Sequence, residues 1–134
     1  LHTFVGTTNG WGDDYDPVFR QGVFGVPMDT LVNDFALPFP NFIKIDVEGF
    51  EYQVMQGALE TIARDKPVMV VEIEEVYIKR DVAEVLRFVE GLGYETYALK
   101  DKVLTRIGNI DLDAHHRHCV NKANYIFNFV FLPR

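Results

Sequence analysis

One cysteine, Cys119, is all that the 134 residues contain, so no internal disulfide can form and a reducing, cytoplasmic setting is the default expectation. No apolar run approaches the roughly 20 residues that span a bilayer, and the N-terminus lacks the basic stretch and apolar core of a signal peptide. Positive charge is also scarce: 13 Lys and Arg face 20 Asp and Glu, a net charge of -7. A grip on nucleic-acid phosphate or on an anionic membrane surface would work against that field, and neither is expected as a partner. There is no internal repeat and no low-complexity tract. An initiator methionine is missing too; Leu1 stands first, and the expectation is a piece of something longer.

What is present is an ordinary globular composition, 48% apolar and 25% charged, in a length that buries about two-thirds of its unfolded surface. The chain reads as one domain, residues 1–134, with a loop-rich segment over 1–25 and an α/β region over 26–134. Gly6, Gly10, Gly12, Gly22 and Gly25 with Asp13, Asp14, Asp16 and Pro17 give the first segment its turn character, apart from a short strand near Thr3 to Val5. Val26 to Leu31 reads as a strand end entering a turn of helix.

Phe42 to Asp46 is a short apolar run between prolines and Gly49, suited to a strand buried on both faces. Val54, Met55, Ala58, Leu59 and Ile62 then share one helical face, predicting an amphipathic helix over 50–64 that Pro67 stops. Gly57 inside it costs roughly 1 kcal/mol against alanine and suggests close helix-to-sheet packing. Val68 to Ile73 is a second apolar strand, which makes 42–73 one parallel crossover unit. Asp81 with Glu84 imitates a capping box, Val82, Val85, Leu86, Val89 and Leu92 form a stripe, and Gly93 suits a left-handed cap. Tyr94 to Leu99 and Tyr125 to Leu132 read as strands, and the alternation places the chain in the α/β class.

In an open α/β sheet, ligands bind beyond the carboxyl ends of the parallel strands. Both parallel strands end in acids: Asp46 and Glu48 after the first, Glu72, Glu74 and Glu75 after the second. For Asp46, a ligand role and a helix-capping role stand level; capping is the better account of Glu48. Glu74 and Glu75 read as solvated loop charges. Glu72, between Val71 and Ile73, is a carboxylate in an apolar strand, costly without a partner. Lys44 is better explained by a salt bridge or a packed stem than by catalysis. His115, His116, His118 and Cys119 offer metal-ligand types, with His116 and His118 on one face of an extended segment, but their spacing fits no zinc motif and a polar loop is the better account.

The motifs V-P-M-D-T-L, I-K-I-D-V-E-G-F-E, Q-G-A-L, K-P-V-M-V-V-E-I and G-L-G-Y, in that order, resemble the C-terminal half of an FkbM-type S-adenosylmethionine-dependent methyltransferase, from about Val26 to Leu99, with a weaker match in the last strand. The resemblance implies a Rossmann-like class I methyltransferase sheet, ordered 3-2-1-4-5-7-6, of which this chain holds the half equivalent to strands 4, 5, 7 and 6. It implies S-adenosylmethionine as cofactor and a sugar, glycan or other small-molecule hydroxyl as acceptor. Asp46 then faces the methionine end of the cofactor or the reacting centre, Glu48 and Glu51 belong to the same motif, Asp29 matches an acid of the family's T-L-D-like segment, and Glu72 lies on the substrate side. Asp46 and Glu72 are the candidate catalytic residues, and Asp46 and Glu48 the candidate cofactor-binding ones. A magnesium ion at Asp46 is left open.

The family's glycine-rich cofactor turn is not matched. G-T-T-N-G-W-G, residues 6–12, has neither the right spacing nor a flanking strand and helix, so this chain is expected to supply the acceptor side of a site and to bind the cofactor poorly alone. Without strand 1, the 42–46 edge is bare and calls for a second copy, a missing N-terminal half, or the strand near Thr3 to cover it. Two alternatives stand beside the enzyme: a non-catalytic assembly or scaffold module, and a metal-binding domain built on His115 to Cys119.

Overall fold

The computed structural model describes the backbone of residues 2–5 and 22–24 and, from residue 25 onward, backbone and side chains. The G-T-T-N-G-W-G stretch and the Asp13–Asp16 cluster therefore lie outside the described residues. Strands β1 (His2–Val5) and β2 (Gly22–Gly25) form an antiparallel pair. Helix α1 (Met28–Asp34) follows, then β3 (Phe42–Ile45), α2 (Glu51–Gln56), α3 (Leu59–Asp65), β4 (Val68–Glu72), α4 (Glu75–Ile78) and α5 (Val82–Gly91). Strands β5 (Tyr94–Lys100), β6 (Val103–Arg106) and β7 (Asn128–Pro133) complete a mixed α/β fold.

The main sheet has five strands in the order β3-β4-β7-β5-β6. Strands β3 and β4 are parallel, as the crossover unit requires, whereas β7 runs antiparallel to both of its neighbours, β4 and β5. The last strand of the chain thus lies in the middle of the sheet. Register aligns two buried rows across it: Ile43, Met69, Phe131 and Thr96, then Ile45, Val71, Phe129 and Ala98. Met55, Ala58 and Ile62 from the α2–α3 region and Val82, Val85, Leu86 and Val89 of α5 join these rows in one core cluster.

The expectation that β3 is buried on both faces is corrected. Ile43 and Ile45 are buried, but Phe42 is 58% exposed and Lys44 faces solvent, so only one face of β3 is covered. The strand near Thr3 pairs with β2 instead of covering the outer edge of β3, which has no strand beside it among the described residues.

The predicted helix over 50–64 is two helices. Gly57 ends α2, Ala58 precedes α3, and the Gly57 carbonyl accepts from Asp29 N–H at 3.0 Å. The Asp29 carboxylate in turn accepts from Glu60 N–H and Thr61 N–H at 3.0 and 2.8 Å, satisfying free donors at the start of α3. A Cβ at Gly57 would meet Pro27 at 3.5 Å, so the glycine packs against the segment entering α1 and not against the sheet.

The connection after Leu99 holds β6, which sequence periodicity did not reveal. Asp101 and Lys102 both take left-handed backbone, φ 51° and 64°, and fold β6 back on β5 with Lys100 opposite Val103. No helix among the described residues is long and apolar enough to cross a membrane.

Candidate functional site

The carboxyl ends of β3 and β4 meet at one level, because Ile45 pairs with Val71 and the next residues are Asp46 and Glu72. Side chains alternate along a strand, so Asp46 and Glu72 project from the face opposite the buried rows, together with Lys44. Asp46 Oδ2 accepts from Lys44 Nζ at 2.8 Å, both side chains being nearly half exposed. The salt-bridge reading of Lys44 holds, and its partner is the candidate catalytic acid.

The loop that follows is fixed by Glu51. This side chain is buried, and its carboxylate accepts from Val47 N–H at 3.1 Å and from Gly49 N–H at 3.1 and 3.2 Å. One carboxylate thereby holds the turn that displays Asp46 and Glu48. Gly49 takes φ +100°, and a Cβ there would lie 2.8 Å from the Tyr77 carbonyl oxygen, so both conformation and space demand glycine. Glu48 is also left-handed, φ 52°. Helix α2 begins after Phe50 with no side-chain cap hydrogen bond, so the capping account of Asp46 and Glu48 is not what the structure shows.

Asp46, Glu48, Gly49, Glu51, Glu72, Glu74 and Tyr77 line a small cleft. Glu72 is half-buried and meets no hydrogen-bond donor among the described residues. Burial pushes its carboxyl above the usual carboxylate range, the charge of Asp46 adds to this, Lys44 partly offsets it, and Glu74 and Glu48 contribute smaller repulsions. The cleft therefore carries an excess of negative charge that one lysine does not balance.

Glu74 and Glu75 are not solvated loop charges. Glu74 Oε2 accepts from the Tyr125 hydroxyl at 3.0 Å, and burial followed by this bond pushes the Tyr125 phenol well up. Glu75 Oε1 accepts from Val82 N–H at 2.8 Å at the start of α5 and from Arg117 Nε at 3.0 Å. Arg117 also donates to Asp81 at 2.8 Å and to Asp113 at 2.7 Å, so one guanidinium joins three segments. Asp81 caps α5 as expected, accepting from Ala83 N–H at 2.7 Å, while Glu84 pairs with Arg80 instead of completing a capping box.

The histidine cluster does not converge. Asp113–Arg117 forms a single wide helical turn, not an extended segment. His116 is buried with Nδ1 at 2.7 Å from the Ile126 carbonyl and its ring stacked on Tyr125, whereas His118 is exposed. Among the described residues no group of three or more His, Cys, Asp or Glu is placed to hold a metal ion.

Sequence reasoning passed over Arg117 and Tyr125, and it named Glu51 without its job. For Glu51 a signal existed: an acid four residues after Val47, at the first position of a helix, is placed to reach back to the preceding turn.

The family described as the Methyltransferase FkbM domain matches residues 5–96. The chain belongs to this family. The FkbM match takes in β3, the Glu51-held turn and β4, and stops within β5, short of β6 and β7. A structural relative is the crystal structure of Methyltransferase FkbM from Methylobacillus flagellatus KT, 20% identical, with a TM-score of 0.48 over 78% of this chain. This chain spans 22% of that one. No curated protein matches the chain.

Proposed function

We propose that the complete protein is an S-adenosylmethionine-dependent methyltransferase acting on a hydroxyl of a small-molecule or glycan acceptor, and that this chain supplies the acceptor side of the site. The observation that carries the reading is the pairing of Asp46 with Glu72 on adjacent strand ends, on a turn bolted by Glu51, within the span matched by the family. The strand order β3-β4-β7-β5 supports it, being that of strands 4, 5, 7 and 6 in the methyltransferase sheet that the resemblance implies.

The unbalanced carboxylates Asp46, Glu48, Glu72 and Glu74 suit a cationic ligand group, here the ammonium and sulfonium of the cofactor's methionine end. When bound, that cofactor supplies an electrophilic methyl group. The chain's own task is to align the acceptor oxygen and keep water away. Asp46, held by Lys44, takes the hydroxyl proton or anchors the ammonium, and Glu72, its carboxyl pushed above the usual range by burial and by the charge of Asp46, stands beside it on the substrate side. Glu48, displayed by the same turn, faces the cofactor.

In the full-length protein, Asp46→Asn is expected to lower methyl transfer by about 10²–10⁴-fold with an unchanged unfolding midpoint. Near-normal transfer would overturn the assignment. A scaffold module would show no transfer in the parent protein, so the same assay separates the two readings.

A further inference from the structure

A second cavity, of about 260 Å³, opens at the same end of the sheet, between the β5–β6 turn and the segment leading into β7. Lys100, Lys102, His115, Asn124 and Tyr125 are in its lining. Register places it level with the carboxylates. Ala98 pairs with Phe129, Phe129 with Val71 and Val71 with Ile45, so the next residues along these strands are Leu99, Asn128, Glu72 and Asp46. Only β7 separates β4 from β5, whose axes therefore lie roughly 10 Å apart. Tyr125 links the two, lining the cavity while its hydroxyl donates to Glu74 of the acidic cleft.

The charge of the two sites is opposite. Lys100 and Lys102 bring two ammonium groups to the cavity in a chain of net charge -7, and neither makes an ion pair or side-chain hydrogen bond among the described residues. Asp101, exposed at the turn, is the one carboxylate in the lining. His115 adds a ring whose Nδ1 is buried without a partner among the described residues.

We infer that this cavity anchors an anionic group, a carboxylate or a phosphate, on the acceptor. The carboxylate cleft repels that end and the ammonium groups attract it, so the acceptor enters one way round, with its hydroxyl towards Asp46 and Glu72. The cavity is smaller than an ordinary ligand pocket, and it holds one end of the acceptor, not the whole. The word acceptor rests on the methyltransferase reading above; the preference for anions does not.

The test is a titration of the 134-residue chain, followed by amide NMR, with three probes that share one ring: glucose, glucuronate and glucose 6-phosphate. Glucuronate or glucose 6-phosphate is expected to shift the amides of Lys100, Asp101, Lys102, Asn124 and Tyr125 while glucose does not, and the more effective of the two anions names the group. Lys100→Met and Lys102→Met, singly and together, are expected to weaken or abolish those shifts and to leave the β3 and β4 amides in place. Equal shifts with glucose, no shifts at millimolar probe, or shifts undiminished in the double variant would each overturn the inference. Because no methyl transfer is read, a failure here leaves the Asp46 assay to decide the enzyme on its own.

Discussion

At the scale of single residues, Glu51 decides the geometry of the cleft more than the acids it displays. Glu51→Gln keeps the size but turns an amide NH₂ towards an N–H that needs an acceptor, and this is expected to cost about 1–3 kcal/mol, read from the urea midpoint. An unchanged midpoint would mean that the turn stands without it. Glu72 gives a prediction with a definite sign. Its folded pKa is raised by burial first and by Asp46 second, so around the carboxylate range the folded state holds more protons than the unfolded one, and stability falls as pH rises through that window. The penalty is absent below the ordinary carboxylate range and fully present at neutral pH. Glu72→Gln is therefore expected to raise the melting temperature at neutral pH and leave it unchanged in acid; an equal gain in acid would point to packing instead. Asp46 and Glu72 were legible as candidates because strand ends can be located from apolar runs and acids stand out there. The partners of Glu74, Glu75 and Asp29 were not, since each lies far along the chain: 51 residues separate Glu74 from Tyr125, 42 separate Glu75 from Arg117 and 32 separate Asp29 from Thr61.

At the scale of elements, the parallel pair and α5 were readable from periodicity and from Asp81 and Gly93, whereas two features were hidden by local chemistry. The apolar stripe from Val54 to Ile62 runs unbroken through Gly57, and only the cap that Asp29 sends from elsewhere shows why the helix restarts at Leu59. Strand β6 was hidden because its turn is Asp101-Lys102, not the Asn-Gly or Asp-Gly pair that usually marks such a hairpin. Arg117 ties α4, the start of α5 and the turn over Asp113–Arg117 together through three carboxylates, and Asp113 and then Glu75 hold its guanidinium more firmly protonated than usual. Asp81 and Asp113 are more than half exposed, which limits the value of each pair. Arg117→Lys is expected to cost about 1 kcal/mol, because a point charge cannot serve the whole fork, and the loss should shrink as salt is added. A salt-independent loss would assign the effect to the packing of the side-chain stem.

At the scale of the whole molecule, the sheet ends in β3 on one side and in the short strand β6 on the other, and among the described residues no strand lies beyond either. Among the described residues the outer edge of β3 has no strand beside it, and Phe35, Phe39 and Phe42, all more than half exposed, lie on or near its approach. Edges of this kind recruit strands. The chain alone is expected to self-associate with rising concentration in analytical ultracentrifugation, and Phe42→Lys is expected to weaken that association. A monomer at every concentration would show that the edge is tolerated bare.

The central position of β7 has a consequence in time. Among the described residues, strands β4 and β5 do not pair with each other and meet in the sheet through β7, whose residues 128–133 leave the ribosome after all the strands they bridge. Until then the growing chain carries a β3–β4 pair and a β5–β6 hairpin with Met69, Val71 and Thr96 uncovered on their shared flanks. Synthesis must reach residues 128–133 before the acidic cleft and the lysine-lined cavity take up a fixed separation, and this interval is when the nascent chain most needs shielding from its neighbours.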